Sequence, residues 1–172
     1  EYGQAATILE RLEEDETFPK RLAGEYSTHK AHYYMIRGNI GQAKQALQDA
    51  VRKVSKKEGR ARLYFVLGQL EEKDQNYKEA IAAFKKSIKS KPVVYDMEFH
   101  SRINVIRAKM RDGVYSTDNA ISALEKMLKD DKNEDLQDQI YVAMAEVAIE
   151  SGDLALATEY FKKAAEVRTA SD

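Results

Sequence analysis

The chain has 172 residues, a formal net charge of −1, 43% hydrophobic and 33% charged side chains. That balance supplies a packed core, argues against disorder, and lacks the excess positive charge of a dedicated nucleic-acid binder. With 8 Gly and 2 Pro there are too few turn-formers for a sandwich or barrel of many short strands, and the absence of Cys excludes disulfides, thiolate zinc sites and thiol nucleophiles. A Cys-free chain suits cytosol and periplasm equally.

Nine amphipathic helices are predicted, at about 2–14, 20–37, 40–55, 59–74, 77–90, 95–112, 117–130, 134–151 and 154–168. The first carries Ala5, Leu9 and Leu12 and runs into the acidic stretch Glu13–Glu16 and then Phe18-Pro19. The second is apolar from Tyr26 to Ile36 and holds His29 and His32. Gly38-Asn39 then forms a turn, with the Gly ending one helix and the Asn capping the next. The third helix has Ala43, Leu47 and Ala50 and leads into a basic link, Lys53–Arg60. The fourth contains Ala61 and the run Leu63-Tyr-Phe-Val-Leu67-Gly68-Gln-Leu70, and the fifth, capped by Asn76, has Ala80, Phe84 and Ser87. The sixth spans the apolar stretch Phe99–Met110. Ser116 caps the seventh, which holds Ala120, Leu124 and Met127 and is followed by the polar link Lys129–Asp135. The eighth is apolar from Ile140 to Ile149, and after Gly152-Asp153 the ninth carries Leu154, Ala157, Phe161 and Ala164.

The second helix of each pair repeats one pattern: Ala, a large apolar residue four positions on, and a third inward position after another three. The five alanines (Ala5, Ala43, Ala80, Ala120 and Ala157) lie 38, 37, 40 and 37 residues apart. Spacing of i, i+4 and i+7 places all three on one helix face. The Ala lets a neighbouring backbone approach, and the bulky residue fills the space beside that crossing. Recurrence at a near-constant interval is the signature of stacked helix pairs.

The unit Tyr64-x-x-Leu67-Gly68, Ala80, Phe84, Pro92 resembles the tetratricopeptide repeat (TPR), and Ala31, Tyr34, Ala43, Leu47 and Ala50 and the set Tyr141, Ala145, Ala148, Ala157, Phe161 and Ala164 fit it more loosely. The unit near 95–130 keeps Ala108, Ala120 and Leu124 without the aromatic and the glycine. The resemblance implies an all-α chain, a right-handed TPR superhelix (α-solenoid) of antiparallel helix pairs. It also implies a single domain over 1–172, with 2–19 as the second helix of a truncated repeat and 24–57, 61–94, 95–131 and 134–171 as successive repeats. A start at Glu1-Tyr2-Gly3, without initiator Met, signal peptide or lipidation motif, predicts a fragment of a longer protein.

A narrower resemblance covers roughly 22–110. The stretches Leu22-Ala-Gly-Glu-Tyr26, Gly59-Arg-Ala-Arg-Leu-Tyr-Phe-Val-Leu-Gly-Gln-Leu70 and Lys91-Pro-Val-Val-Tyr-Asp-Met-Glu-Phe99 are similar to the TPR region of Bacteroidetes outer-membrane lipoproteins of gliding motility and type IX secretion. Val93 and Asp96 depart from that family's second run. This similarity implies a periplasmic secretion-machine component, anchored to the outer membrane through a lipid outside this segment.

No catalytic residues are identified: the sequence has no Gly-x-Gly-x-x-Gly, P-loop, Gly-x-Ser-x-Gly or His-Glu-x-x-His. His29 and His32 share a helix face, yet no third ligand stands near them in sequence, so no metal and no cofactor is expected. Asp131–Asp135 begins like a calcium loop, but Leu136 and Val142 occupy the positions that need Gly and Glu. The acidic run at 13–16 reads as a solvated helix end. The basic cluster Arg52, Lys53, Lys56, Lys57, Arg60 and Arg62 reads as a soluble link, with an anion patch as the alternative.

In the TPR register the first helix of each repeat lines an inner groove. That places there Glu25, Thr28, His32 and Met35, then Arg62, Phe65, Gln69 and Glu72, then Arg102, Val105 and Lys109, and finally Gln139, Val142 and Glu146. The partner-binding residues expected among these are His32, Met35, Arg62, Phe65, Gln69, Arg102 and Lys109: apolar anchors at Met35 and Phe65, with cations that favour an acidic or C-terminal-carboxylate ligand. Of the positions of a co-chaperone carboxylate clamp (Thr28, His32, Val66, Arg102 and Ile106), Arg102 alone keeps the charge.

These features predict a non-catalytic protein–protein interaction scaffold, whose partners are proteins such as other secretion-machine subunits, without nucleic acid and without membrane insertion by this segment. The alternatives are a cytoplasmic, chaperone-type peptide adaptor and the substrate-recruiting arm of a larger enzyme. Far-ultraviolet circular dichroism is expected to show a mostly helical chain, and a substantial strand component would end the solenoid reading.

Overall fold

A computed structural model describes residues 2–54 and 57–171. Among them every regular element is helical: α1 (Tyr2–Glu14), α2 (Ala23–Ile36), α3 (Ile40–Lys53), α4 (Lys57–Lys73), α5 (Tyr77–Lys89), α6 (Tyr95–Arg111), α7 (Thr117–Leu128), α8 (Gln137–Glu150) and α9 (Leu154–Ser171). These are the helices expected from the apolar periodicity, in the same order, paired as helical hairpins of the solenoid type. Two begin later than predicted, because the 3-10 turns Lys20–Leu22 and Asp131–Leu136 precede α2 and α8. At the second turn the buried Asn133 is the cause: its Nδ2 donates to the Met127 carbonyl at 2.7 Å and ties the link back to α7. The link before α4 includes Ser55 and Lys56, which lie outside the described residues.

The chain forms two compact units, Glu1–Ser101 and Arg102–Asp172. In the first, α3 packs between α2 and α4, and α5 pairs with α4. Ala31, Ala46, Leu47, Ala50, Val51, Leu63, Leu67 and Ala83 make one continuous buried cluster across these four helices. The α1 helix is held to α2 by polar links: the Tyr26 hydroxyl donates to the Leu9 carbonyl at 3.1 Å, and Lys30 pairs with Glu13 at 2.7 Å. In the second unit α8 packs against α7 and α9. Arg107 meets Glu146 at 2.7 Å, and the Arg111 Nε donates to Glu150 at 3.0 Å.

The recurring pattern is buried where it was expected in the middle hairpins: Ala43, Leu47, Ala50, Ala80, Phe84, Ser87, Ala120 and Leu124 are all inside. The α4–α5 pair shows why. A Cβ on Gly68 would stand 2.6 Å from the nearest Phe84 ring atom, so the ring occupies the space that the missing side chain leaves. Burying such a ring contributes about 2–3 kcal/mol. The pattern fails at Phe161, which is 43% exposed, while its neighbour Tyr160 turns inward. Twelve residues before Ala157 stands Ala145, where the corresponding position before Ala80 is Gly68. A Cβ is therefore present where an aromatic ring would have to enter, and Phe161 stays outside.

Helix ends repeat as faithfully as the core. After α2, α4, α6 and α8 the backbone turns through a left-handed residue: Gly38, Gln75, Gly113 and Gly152, with φ of 70°, 61°, 73° and 85°. Each turn closes the helix with the same pair of bonds, seen in Asn39 N–H to the Tyr34 carbonyl and Gly38 N–H to the Met35 carbonyl. Ser116 and Asp153 cap as expected, accepting from the backbone of Asn119 at 3.2 Å and Leu156 at 2.9 Å, and Asn39 accepts from Gln42 at 3.4 Å. Asn76 does not. Its side chain donates instead to Glu71 at 3.0 Å, because Glu71 is buried and needs donors.

Lys44 of α3 supplies the rest of that demand, reaching Glu71 at 2.9 Å and Asp74 at 2.6 Å across to α4. The hydrogen bond to Asp74 is the main influence that raises the Lys44 pKa; burial opposes it, and Glu71 adds to the rise. Gln75→Gly is expected to stabilise the chain by about 0.5–1 kcal/mol, since a side chain in left-handed backbone is strained; equilibrium denaturation measures this. Lys44→Met is expected to cost about 2 kcal/mol by leaving Glu71 buried without its cation. Because the folded lysine holds its proton above the ordinary value, the wild-type advantage is full below that value. It declines as pH rises through the folded one, so the two denaturation curves should converge in strong alkali.

Candidate functional site

Three of the seven expected partner-binding residues, His32, Met35 and Arg62, come together. Thr28, His29, His32 and Met35 of α2, Leu47 of α3, and Arg62, Leu63 and Val66 of α4 line one cavity of about 340 Å³. Its construction follows from the packing below it. Leu47 and Leu63 belong to the buried cluster and form an apolar floor, with Val66 packed against them. Positions 28, 32 and 35 recur at helical spacing, so α2 presents them along one wall. The Thr28 hydroxyl donates to the Gly24 carbonyl at 2.8 Å and is satisfied within its own helix. His29, His32 and Arg62 are exposed, and Arg62 forms no ion pair among the described residues. The result is an apolar recess with a guanidinium beside it.

The other expected residues are placed differently. Phe65 is half-buried, its ring edge-to-face with Phe84 at 5.8 Å, so it serves the α4–α5 packing first. Gln69 is exposed on α4 and does not line the cavity. Arg102 is exposed in the second unit. Lys109, in the same unit, is engaged: its Nζ bonds the Tyr115 hydroxyl at 2.8 Å and stands 4.2 Å from that ring's centroid. Val105 is buried, which corrects its placement on an open groove, and Glu146 is paired with Arg107. The register located the rim of the recess. It missed the floor residues Leu47 and Leu63, since their pattern is that of ordinary core.

His29 also borders two recesses between α1 and α2. One, of about 290 Å³, is lined by Ile8, Leu9, Leu12, Phe18, Leu22 and Tyr26 among others; the second, of about 320 Å³, by Ala5, Ile8, Leu9, Tyr33 and Ile36 among others. Two of the four acids in the stretch beside them are engaged. Glu13 pairs with Lys30, and the Asp15 carboxylate accepts from the Thr17 hydroxyl at 2.6 Å and backbone at 2.8 Å, which lowers its pKa. Among the described residues no group of three His, Cys, Asp or Glu side chains could hold a metal ion. Nor is any described helix long and apolar enough to cross a membrane. Lys56 of the basic link lies outside the described residues, as does the Lys57 side chain.

Residues 28–93 and 138–170 each match a family model described as a tetratricopeptide repeat. Among solved structures the chain is similar to MamA from MSR-1, at 23% identity over 99% of this chain and 89% of that one, with a TM-score of 0.62. It is also similar to the TPR-like repeats of a putative kinesin light chain from Podosopora anserina (17% identity, 98% of this chain, 89% of that, TM-score 0.71). A third is BtubC from P. vanneervenii (16%, 97% and 71%, TM-score 0.59). At these identities the likeness is one of fold. No curated protein matches the chain.

Proposed function

We propose that this chain, which carries tetratricopeptide repeats, works as a non-catalytic scaffold that docks a peptide segment of a protein partner in the α2–α4 recess. The observation that carries this reading is the combination inside that recess: a floor of Leu47 and Leu63, an adaptable Met35, and beside them an Arg62 that forms no ion pair among the described residues. An apolar side chain would fill the floor, and a carboxylate, either acidic or C-terminal, would meet Arg62 in a charge-assisted hydrogen bond. Exposed His32 and His29 add donors at the rim. Methionine suits such a site, because its unbranched side chain adapts to differently shaped ligands.

The wider setting we propose is the periplasmic face of a Bacteroidetes outer-membrane secretion or gliding machine. The support is the similarity of Gly59–Leu70 and Lys91–Phe99 to the lipoproteins of that machinery. The full-length flanking sequence tests this directly: a lipoprotein signal upstream agrees with it, and a catalytic domain alongside would instead make this segment a recruiting arm.

The docking reading is tested with purified chain and a peptide-display library. Selected ligands should share an apolar residue next to an acidic or terminal carboxylate. Arg62→Glu should weaken them about tenfold or more while leaving the melting temperature unchanged, because Arg62 is exposed and forms no ion pair among the described residues. Ligands without a carboxylate, or binding indifferent to Arg62→Glu, would move the site off this recess.

A further inference from the structure

The two recesses between α1 and α2 adjoin, since Ile8, Leu9 and His29 border both, and together they make one groove. Its lining comes from α1, α2 and the link that joins them. We infer that this groove receives α9 of a second copy of the chain, so that copies associate head to tail. The inference is independent of peptide docking in the α2–α4 recess.

The shape of the occupant follows from the repeat. Leu47, Arg62, Leu63 and Val66 of the α2–α4 recess have counterparts one repeat earlier at Leu9, Glu25, Tyr26 and His29, and all four counterparts line the groove. In the α2–α4 recess the facing wall is a helix, α2. In the groove no described helix stands at that place. The burial of α1 records the same gap. Ala43, Ala80 and Ala120 are wholly buried, and Leu47, Phe84 and Leu124 are 2% exposed or less. Their counterparts Ala5 and Leu9 are only half-buried, and Ile8 beside them is 56% exposed. On the other side Leu22, Tyr26, His29, Tyr33 and Ile36 alternate four- and three-residue steps, which makes one helical stripe about 20 Å long. Two helices that each turn a stripe toward one groove accept a third helix.

Such a helix is present in α9. Leu154, Thr158, Phe161 and Ala165, at i, i+4, i+7 and i+11, share one side, and all four are exposed. The α3 counterparts of Phe161 and Ala165 are Leu47 and Val51, which are buried in a cluster with Leu63 and Leu67 of α4. The open side of α9 is therefore the side that a neighbouring helix covers in α3. From Leu154 to Ala165 the stripe is about 16 Å long, so the groove can hold all of it. The Thr158 hydroxyl donates to the Leu154 carbonyl at 2.8 Å and enters an apolar contact already satisfied. Phe161 is the anchor: Ala145 keeps its ring out of its own hairpin, and the half-open space at Ala5 and Leu9 can take it.

Charge sets the direction. Exposed Glu14, Glu16 and Glu25 flank the end of the groove that holds Leu12 and Leu22, where they outnumber Lys20 and Arg21, and Arg37 follows Ile36 at the other end. In α9, Glu159 lies in the first half, and Lys162, Lys163 and Arg168 outnumber Glu166 in the second. Seated antiparallel to α2, α9 brings its cations to those acids and Leu154 to Ile36. The contact joins two different surfaces, so each copy keeps a groove and a stripe for further copies unless the assembly closes into a ring.

The test is sedimentation velocity on the whole chain from micromolar to near-millimolar concentration, with circular dichroism to confirm that each variant is folded. The wild type is expected to self-associate. Ile8→Asp disables the groove and Phe161→Asp the stripe, so each variant alone should stay monomeric. Their equimolar mixture should form one-to-one dimers and nothing larger, because one intact groove and one intact stripe remain. If either variant loses its helical signal, Ile36→Asp and Leu154→Asp, at positions 51% and 67% exposed, carry the same expectation. The chain has no Cys, so introduced thiols report the contact cleanly. Mild oxidation of Ile36→Cys mixed with Leu154→Cys should link the two copies at least fivefold more than Leu22→Cys mixed with Leu154→Cys. A wild type that stays monomeric throughout, single variants that associate as the wild type does, a mixture without dimers, or equal linking at both ends of the groove would each overturn the inference.

Discussion

The structure depends on matching the size of two side chains where paired helices cross. Leu47 follows its hairpin's Ala31, Phe84 follows Gly68, and Leu124 follows Ala108, each pair sixteen residues apart. All three large residues are fully or almost fully buried. The aromatic ring occurs with the glycine, and leucine with alanine, because the space beside the first helix is set by one methyl group. The last hairpin combines Ala145 with Phe161, and there the large residue lies outside. A single Cβ is therefore enough to decide whether this position is core or surface.

Much of this was legible in the sequence. The small–large alternation identified the second helices, the glycines and polar residues after the first helices marked the turns, and the tetratricopeptide register put His32, Met35 and Arg62 on one side. The misreadings have local causes that a one-dimensional pattern does not contain. Asn76 has the ideal residue type for a cap, yet it serves Glu71, whose burial depends on α3 lying across it and on Lys44 arriving from that helix. Asn133 shortens α8 by reaching back to α7. Phe65 was read as a free aromatic on an inner face, but the ring of Phe84, seated against Gly68, gives it an intramolecular neighbour.

Floors of recesses are harder to read than rims. Leu47 and Leu63 fill core positions in every pattern-based view, and the same buried side chains form the bottom of the α2–α4 cavity. Only the separation of α2 from α4, set by α3 packed between them, decides that part of their surface faces an opening. A depression bordered by Arg60, Tyr64, Lys86, Lys89 and Ser90 has the same origin. Arg60 was grouped by sequence with the basic link, while its spatial neighbours come from the end of α5, brought beside it by the antiparallel hairpin.

Charge follows a rule that separates structural from available groups. Where a cation bridges two helices it finds an acid, and where that acid is buried, as Glu71 is, the pairing holds the helices in register and offsets the desolvation of both partners. An exposed lysine on an open helix face needs no partner, because water satisfies it. Arg62 is exposed and forms no ion pair among the described residues. It borders the α2–α4 recess, and among the described residues no carboxylate lines that recess. The chain has 29 acidic against 28 basic side chains, so acids are not scarce. Their absence from the described lining of the α2–α4 recess leaves the Arg62 charge facing solvent at its mouth.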